Sequence, residues 1–335
     1  MDAPAHLIRL GNLSQERLQQ ILELALRLKQ DAAGLSLTGH TLGMLFFRGS
    51  LRTRASFETA VHQLGGHTVN LTATSDFWEL EVREGTVMDG RAPEHIRDAA
   101  AVLSRYFDAL AIRPAPGGRS WAADRQDAQI RSWADHADVP VINMESVLWH
   151  PLQALADLMT LRETLGELPK KRIAIVWVRS PEPASPSVVH SLLHGTLRCG
   201  MNVAVAHPPG FELDPEVLSE AHELASASGG ELQTGLPLEQ AVEGAHVLYA
   251  RSWHSLETYG NPTLAASHRS RLTEWHVDER LMALGSEARL MHAMPIRRNL
   301  EVSDAVLDGP RSSILQQAEN RLHTQKALLT TLLRD

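Results

Sequence analysis

The chain has 335 residues, 43% of them hydrophobic, and a formal net charge of −8. The length suits two domains of ordinary size, and the acidic balance argues against nucleic acid or an anionic membrane surface as a general partner. One cysteine, Cys199, excludes an internal disulfide framework, no apolar run approaches bilayer-spanning length, and the opening "MDAPAHLIRL" lacks a signal-peptide layout; the expectation is a cytoplasmic protein.

Residues 14–30, "SQERLQQILELALRLKQ", have helical apolar spacing with a serine where a cap belongs. "TLGMLFF" (41–47) reads as a buried strand and leads into a helix, "RTRASFETAVHQL" (52–64), stopped by Gly65 and Gly66. The strand "HTVNLT" (67–72) follows, then a helix predicted over 93–106 with Pro93 in its first turn. "DALAIR" (108–113) and "VPVINM" (139–144) complete a first set of strands, and "PLQALADLMTLRETLG" (151–166) is a long helix. A second set runs through "KKRIAIVWV" (170–178), "NVAVAHP" (202–208), "HVLYA" (246–250) and "ARLMHA" (288–293), with helices around 187–199 and 214–228. Near-continuous apolar strands alternating with helices predict parallel sheets covered on both faces. The expected fold class is therefore α/β, with two doubly wound parallel-sheet domains, 1–150 and 151–317. The amphipathic last helix, 318–333, is expected to pack back on the first.

Ligands of open α/β sheets bind beyond the carboxyl ends of the strands. "RGSLRTR" (48–54) occupies such an end and opens a helix, where backbone N–H groups are unpaired. Ser50 and Thr53 add hydroxyls, and Arg52 and Arg54 add planar forks that fit phosphate oxygens. Spacing alone is equally compatible with a solvated helix start carrying surface arginines. "HPLQ" (150–153) sets His150 and Gln153 three apart, both able to bond a carbonyl-like group, although a lone histidine is more often a cap or core residue. Glu145 can bind an amine or be a surface acid. "HAMPIRRN" (292–299) offers backbone carbonyls for an –NH2 group or is an ordinary loop. The 17 histidines show no metal-ligand spacing, and no dinucleotide, P-loop or nucleophile-elbow motif is present.

Taken together, "SLRTR", "HPLQ", "HAMP" and "AENRLH" resemble, in order, the motifs of the aspartate/ornithine carbamoyltransferase family. Within it, "GTVMDG", "VINMES", "VDERLMAL" and "RRNLEVSDAVLD" are similar to the branch acting on N-acylated ornithine. The resemblance implies a carbamoyl-phosphate domain followed by an amine domain, a homotrimer with active sites at subunit interfaces, and a knot in the C-terminal domain at the proline-rich "RSPEPASPS" (179–187). It implies carbamoyl phosphate bound by Ser50, Leu51, Arg52, Thr53, Trp78 from a neighbouring subunit, Arg113, His150, Gln153, Ala293, Met294 and Arg321. The same resemblance gives the catalytic roles to Arg52, Thr53, Arg113 and His150. It implies that Glu145, Pro93, Arg179, Arg251 and Met294 face the N-acylornithine and that no metal or organic cofactor is needed.

The acetyl-specific members carry a glutamate where this chain has Pro93, and the succinyl-specific ones a proline. A glutamate would repel a succinyl carboxylate. The preferred expectation is carbamoylation of N-succinyl-L-ornithine in arginine biosynthesis. N-acetylornithine comes next, then free ornithine, then a non-catalytic anion-binding paralogue. Three positions depart from relatives: Ala293 replaces a cysteine, Arg251 a lysine, and Glu301 a lysine that can be carboxylated.

Overall fold

A computed structural model of the chain describes residues 6–30, 35–73 and 75–334. The chain forms two compact units. One takes the residues up to Gly117, Ala122–Leu152 and the chain from Arg321 onward, and the other takes Gly118–Trp121 and Gln153–Asn320.

The first half contains α1 (Gln15–Gln30), β1 (Thr41–Phe46), α2 (Leu51–Gln63), β2 (His67–Thr72), the short pair β3 (Leu80–Glu81) and β4 (Glu94–His95), α3 (Ile96–Leu103), β5 (Ala109–Arg113), α4 (Trp121–Asp124), α5 (Ala128–His136) and β6 (Val141–Asn143). Ser14 starts α1 by accepting the Arg17 N–H at 3.0 Å, and Leu18, Ile21, Leu22, Ala25 and Leu28 form its buried face. The four-stranded sheet runs β2-β1-β5-β6, all parallel. The chain winds outward from β1 to β2 and then returns to the other side of β1, so the strand order reverses between β1 and β5. A doubly wound sheet opens its ligand crevice at that point. Gly43 is required within β1, because a Cβ there would lie 2.3 Å from the Phe107 ring.

The chain continues through α6 (Pro151–Leu165), β7 (Arg172–Trp177), α7 (Ser187–Arg198), β8 (Asn202–Ala206), α8 (Pro215–Ser228), β9 (Glu231–Gln233), α9 (Leu238–Val242), β10 (Val247–Arg251), α10 (Pro262–Ser270), α11 (Glu279–Met282), β11 (Arg289–Met291), α12 (Asp304–Leu307) and α13 (Ile314–Arg334). The second sheet, β11-β10-β7-β8-β9, is also parallel, and its order reverses between β7 and β10. Two doubly wound parallel sheets are the fold class that the strand-helix alternation predicts.

Two local expectations are corrected. The helix predicted over 93–106 starts only at Ile96, capped by His95, whose ring Nδ1 accepts the Arg97 N–H at 3.1 Å. Residues 94 and 95 pair with Leu80 and Glu81 instead, and Pro93, with no N–H to give a ladder, stands just ahead of that strand. The last helix begins at Ile314, four residues before the expected start. The strand β9 and the β3–β4 pair were not anticipated, because they are short and carry polar residues.

Candidate active site

At the first unit's switch point, Ser50 caps α2 in extended conformation (φ −157°), and its Oγ accepts the Thr53 N–H at 3.3 Å. The cap turns the chain so that Leu51 and Arg52 open the helix, with Leu51 largely exposed at 79%. Thr53 is buried, and its Oγ1 accepts from Arg321 Nη2 at 2.7 Å. Residues 268 positions apart in sequence thus meet at one hydroxyl.

Arg113 ends β5. Its Nη2 donates to Glu145 Oε2 at 2.5 Å and its Nη1 to the Met144 carbonyl at 3.1 Å. Arg48 reaches the same place, donating to the Pro114 and Glu145 carbonyls at 3.0 Å each, with Glu145 Oε2 3.4 Å away. Burial lowers the Arg113 pKa, Glu145 opposes that, and the Arg48 and Arg52 charges add to it. His150 is buried, and its pKa lies well below the ordinary imidazole value. Burial is the main cause; Glu145 opposes it, while Arg321, Arg113 and Arg48 reinforce it. The imidazole is therefore neutral near pH 7, which suits it to bond a polarised oxygen without adding charge. Arg48, Arg52, Arg113 and Arg321 share this locality with the Glu145 carboxylate, so basic groups outnumber the acid among these residues. Such an imbalance is matched by an anion.

The loop between β6 and α6 delivers Glu145 and His150, and its backbone is held by two residues that motif reading missed. Asn143 Nδ2 donates to Ser146 Oγ and to the Ile8 carbonyl at 2.9 Å each, and its Oδ1 accepts the Glu145 N–H at 3.0 Å. Asp127 accepts from the Ser146 hydroxyl at 2.5 Å and the Val147 N–H at 2.9 Å. Glu145 itself sits at φ 142°, a conformation that this framework maintains. The signal for Asp127 is its position before a helix, which reads as an ordinary cap. Instead it caps nothing by its side chain and serves a loop 19 residues away.

Arg54 is not part of this set. Its Nη2 donates to Thr72 Oγ1 at 2.9 Å and its guanidinium lies 4.4 Å from the centre of the Phe46 ring. The expectation that Arg54 adds a phosphate fork is corrected: position 54 is turned from position 52 by a further 200° around the helix, toward β2. Trp78 is 58% exposed, with its Nε1 donating to Glu94 at 2.7 Å, and Pro93 is exposed on the same unit.

In the second unit, Arg179 and Arg251 follow and end β7 and β10, the strands that flank its switch point; the Val178 N–H donates to the Arg251 carbonyl at 3.2 Å. Arg251 is buried, while Arg179 lines a cavity of about 230 Å³ with Ser180, Pro181, Ala266, Arg269, Ser270 and Leu300. Gln153 is buried in α6 and donates to Asp157 at 2.8 Å. Ala293 and Met294 follow β11, where the Met294 N–H donates to His292 Nδ1 at 2.9 Å and Met294 takes a left-handed φ of 48°. Glu301 is buried, 3.3 Å from His292 Nε2. Burial pushes its pKa up, but hydrogen bonds from His292, Ser180 and the Arg297 N–H outweigh that and hold it below the usual range. Among the described residues, no three His, Cys, Asp or Glu side chains are grouped to hold a metal ion, and no helix is long and apolar enough to cross a membrane.

The family model for the aspartate/ornithine carbamoyltransferase carbamoyl-P binding domain matches residues 5–163, and that for the Asp/Orn binding domain matches 171–332. The chain belongs to the aspartate/ornithine carbamoyltransferase family. This carbamoyltransferase is 38% identical over 330 residues to the N-acetylornithine carbamoyltransferase of Xanthomonas campestris pv. campestris, across 98% of this chain and 97% of the relative. It matches a solved acetylornithine transcarbamylase complexed with acetylcitrulline with a TM-score of 0.95 at 38% identity, over 98% of each chain. It also matches a glutamate-to-proline variant of N-acetyl-L-ornithine transcarbamylase, complexed with carbamyl phosphate and N-succinyl-L-norvaline, with a TM-score of 0.94 at 38% identity, over 98% of this chain and 99% of the other.

Proposed function

We propose that this carbamoyltransferase acts on N-succinyl-L-ornithine, giving N-succinyl-L-citrulline and phosphate in arginine biosynthesis. The observation that carries the reading is Pro93. The family resemblance sets it against a glutamate of the acetyl-specific members, and the solved relative whose glutamate was replaced by proline holds N-succinyl-L-norvaline. A second reading, N-acetyl-L-ornithine, is favoured by the names of the relatives.

In the proposed reaction the δ-amine nitrogen attacks the carbamoyl carbon, and a tetrahedral intermediate forms. The bond from that carbon to the phosphate oxygen then breaks. The phosphate leaves with the electron pair and can take the amine proton. The α2 N–H groups at Leu51 and Arg52, with Ser50, the Arg52 fork and Thr53, bind the phosphate. Arg113, Thr53 and neutral His150 stabilise the oxyanion, and Arg321 holds Thr53 in place. Gln153 and the carbonyls of Ala293 and Met294 orient the –NH2 group. Glu145 steadies Arg113 and Arg48, and serves the substrate end together with Arg179 and Arg251. Trp78 completes the site of a neighbouring subunit in a homotrimer, a role that its exposure on the β3–β4 segment supports. Much of the rate comes from aligning two bound reactants.

The deciding experiment is a panel of ornithine, N-acetylornithine and N-succinylornithine with carbamoyl phosphate, scored for ureido product. The succinyl substrate should lead the acetyl one by about 10-fold or more in kcat/KM, and Pro93→Glu should reverse the order, since one misplaced like charge is worth a few kcal/mol. An unchanged ratio in that variant removes Pro93 as the selector. Acetyl preference in the native enzyme favours the second reading.

A further inference from the structure

The second unit buries a carboxylate for which the reaction above has no use. Asp157 is fully buried on α6, one turn after Gln153. Its Oδ1 accepts from Gln153 Nε2 at 2.8 Å and from Gln317 Nε2 at 2.7 Å, and its Oδ2 accepts from the Tyr249 hydroxyl at 3.1 Å. Gln317 Nε2 also donates to the Tyr249 oxygen at 3.2 Å, and its Oε1 accepts the His292 N–H at 2.9 Å. His292 Nδ1 in turn accepts the Met294 N–H at 2.9 Å. One carboxylate is thus tied to Gln153 directly and to the 292–294 turn through a single glutamine.

The chemistry of the acceptor sets the direction of every bond. Both Asp157 oxygens accept in these bonds, so the Gln153 carboxamide cannot turn over without pressing its Oε1 against an acceptor. The same holds for Gln317, whose orientation then presents Oε1 to the His292 N–H. Burial, and next the Asp157 charge, push the Tyr249 phenol well above its usual pKa, so it stays a donor. Reversing either amide would exchange a charge-assisted hydrogen bond for lone-pair repulsion in a place sheltered from water.

We propose that Asp157 is the positioning residue that makes this enzyme read the carbamoyl nitrogen: it holds Gln153 so that Oε1 is the atom offered to the –NH2 group, and through Gln317 it holds the turn whose carbonyls accept the other N–H. The inference rests on the assignment of Gln153, Ala293 and Met294 to the carbamoyl –NH2. Its consequence is discrimination. Acetyl phosphate keeps the phosphate and the carbonyl oxygen but has a methyl where carbamoyl phosphate has –NH2, and a set of fixed acceptors rejects that methyl. Asparagine at position 157 can present either end of its amide, which releases the lock while keeping the volume.

The test compares kcat/KM for carbamoyl phosphate with the inhibition constant of acetyl phosphate as a competitor, in full-length Asp157→Asn. The first should fall by about 30-fold or more while the second stays within about 3-fold of native, because only the –NH2 contacts depend on the lock. A residue that merely supports the fold would weaken both ligands alike; a parallel loss, or no loss, overturns the proposal. Gln317→Met reaches the turn by a different bond, should show the same selective signature more weakly, and decides the matter if the asparagine variant does not fold. Gln153→Ala separates the two claims. Native kcat/KM in that variant defeats the Gln153 assignment itself. Lost activity there, with discrimination intact in the Asp157 and Gln317 variants, defeats only the role of Asp157.

Discussion

Arg52 and Arg54 are two residues apart and the structure commits them to different work. Arg54 lies over Phe46 and bonds Thr72, whereas Arg52 adds its charge beside Arg113. Arg52→Ala should therefore lower turnover by about 100-fold or more, the effect of losing a charged donor at a reacting phosphate. Arg54→Ala should leave turnover within a few fold and lower stability by about 1 kcal/mol, read from urea unfolding. His150 supports a prediction about pH. Its pKa in the folded protein lies well below the ordinary 6.5, so the unfolded chain takes up a proton that the folded one refuses. The stability associated with His150 is complete above pH 6.5 and is lost as pH falls from there toward the folded value. Unfolding free energies measured from pH 7 down to 5 should fall less steeply in His150→Asn than in the native enzyme.

Turns and helix starts show a similar division of labour. Ser50, read in the sequence only as a hydroxyl for a phosphate cradle, also caps α2, the standard function of a hydroxyl before a helix. Asp127 has the same sequence appearance before α5, yet its carboxylate holds the Ser146 hydroxyl and the Val147 N–H of the loop that carries His150. Burial raises its pKa, and the hydrogen bonds from Ser146 and the loop backbone oppose that rise. Asp127→Ala leaves those donors buried without an acceptor and should cost about 2–4 kcal/mol in urea unfolding, together with a raised KM for carbamoyl phosphate. The start of α3 was misread for a related reason. Pro93 is a good first-turn residue in isolation, but pairing of Glu94 and His95 with Leu80 and Glu81 takes the backbone first.

Across the chain, two doubly wound sheets each reverse their strand order once, and basic residues stand at both reversals: Arg48, Arg52 and Arg113 at the first, Arg179 and Arg251 at the second. The first reversal gathers Arg48 and Arg113 about Glu145, with the Arg52 charge beside them, so an anion bound there would link ligand to fold. Saturating carbamoyl phosphate, with no amine present, should raise the Tm by about 5 °C or more, since occupancy at 100 times Kd is worth about 2.7 kcal/mol. The gain should shrink in Arg113→Lys, whose point charge cannot make the same paired contacts to Glu145 and Met144. Differential scanning fluorimetry with inorganic phosphate as a weaker control checks this.

The long apolar strands, their parallel arrangement and the family were legible in the sequence, because buried strands must be apolar and capped helices must carry particular residues. Those constraints act over a few neighbours and leave marks at fixed spacing: "SLRTR" and "HPLQ" are such marks. Which side chains meet was not legible. Arg321 bonds Thr53 across 268 positions, Gln317 bonds Asp157 across 160, and Arg113 meets Glu145 across 32. No local propensity encodes such pairs. They exist because sheet order and crossover helices bring distant segments together, and because a charge removed from water needs a partner wherever the fold supplies one.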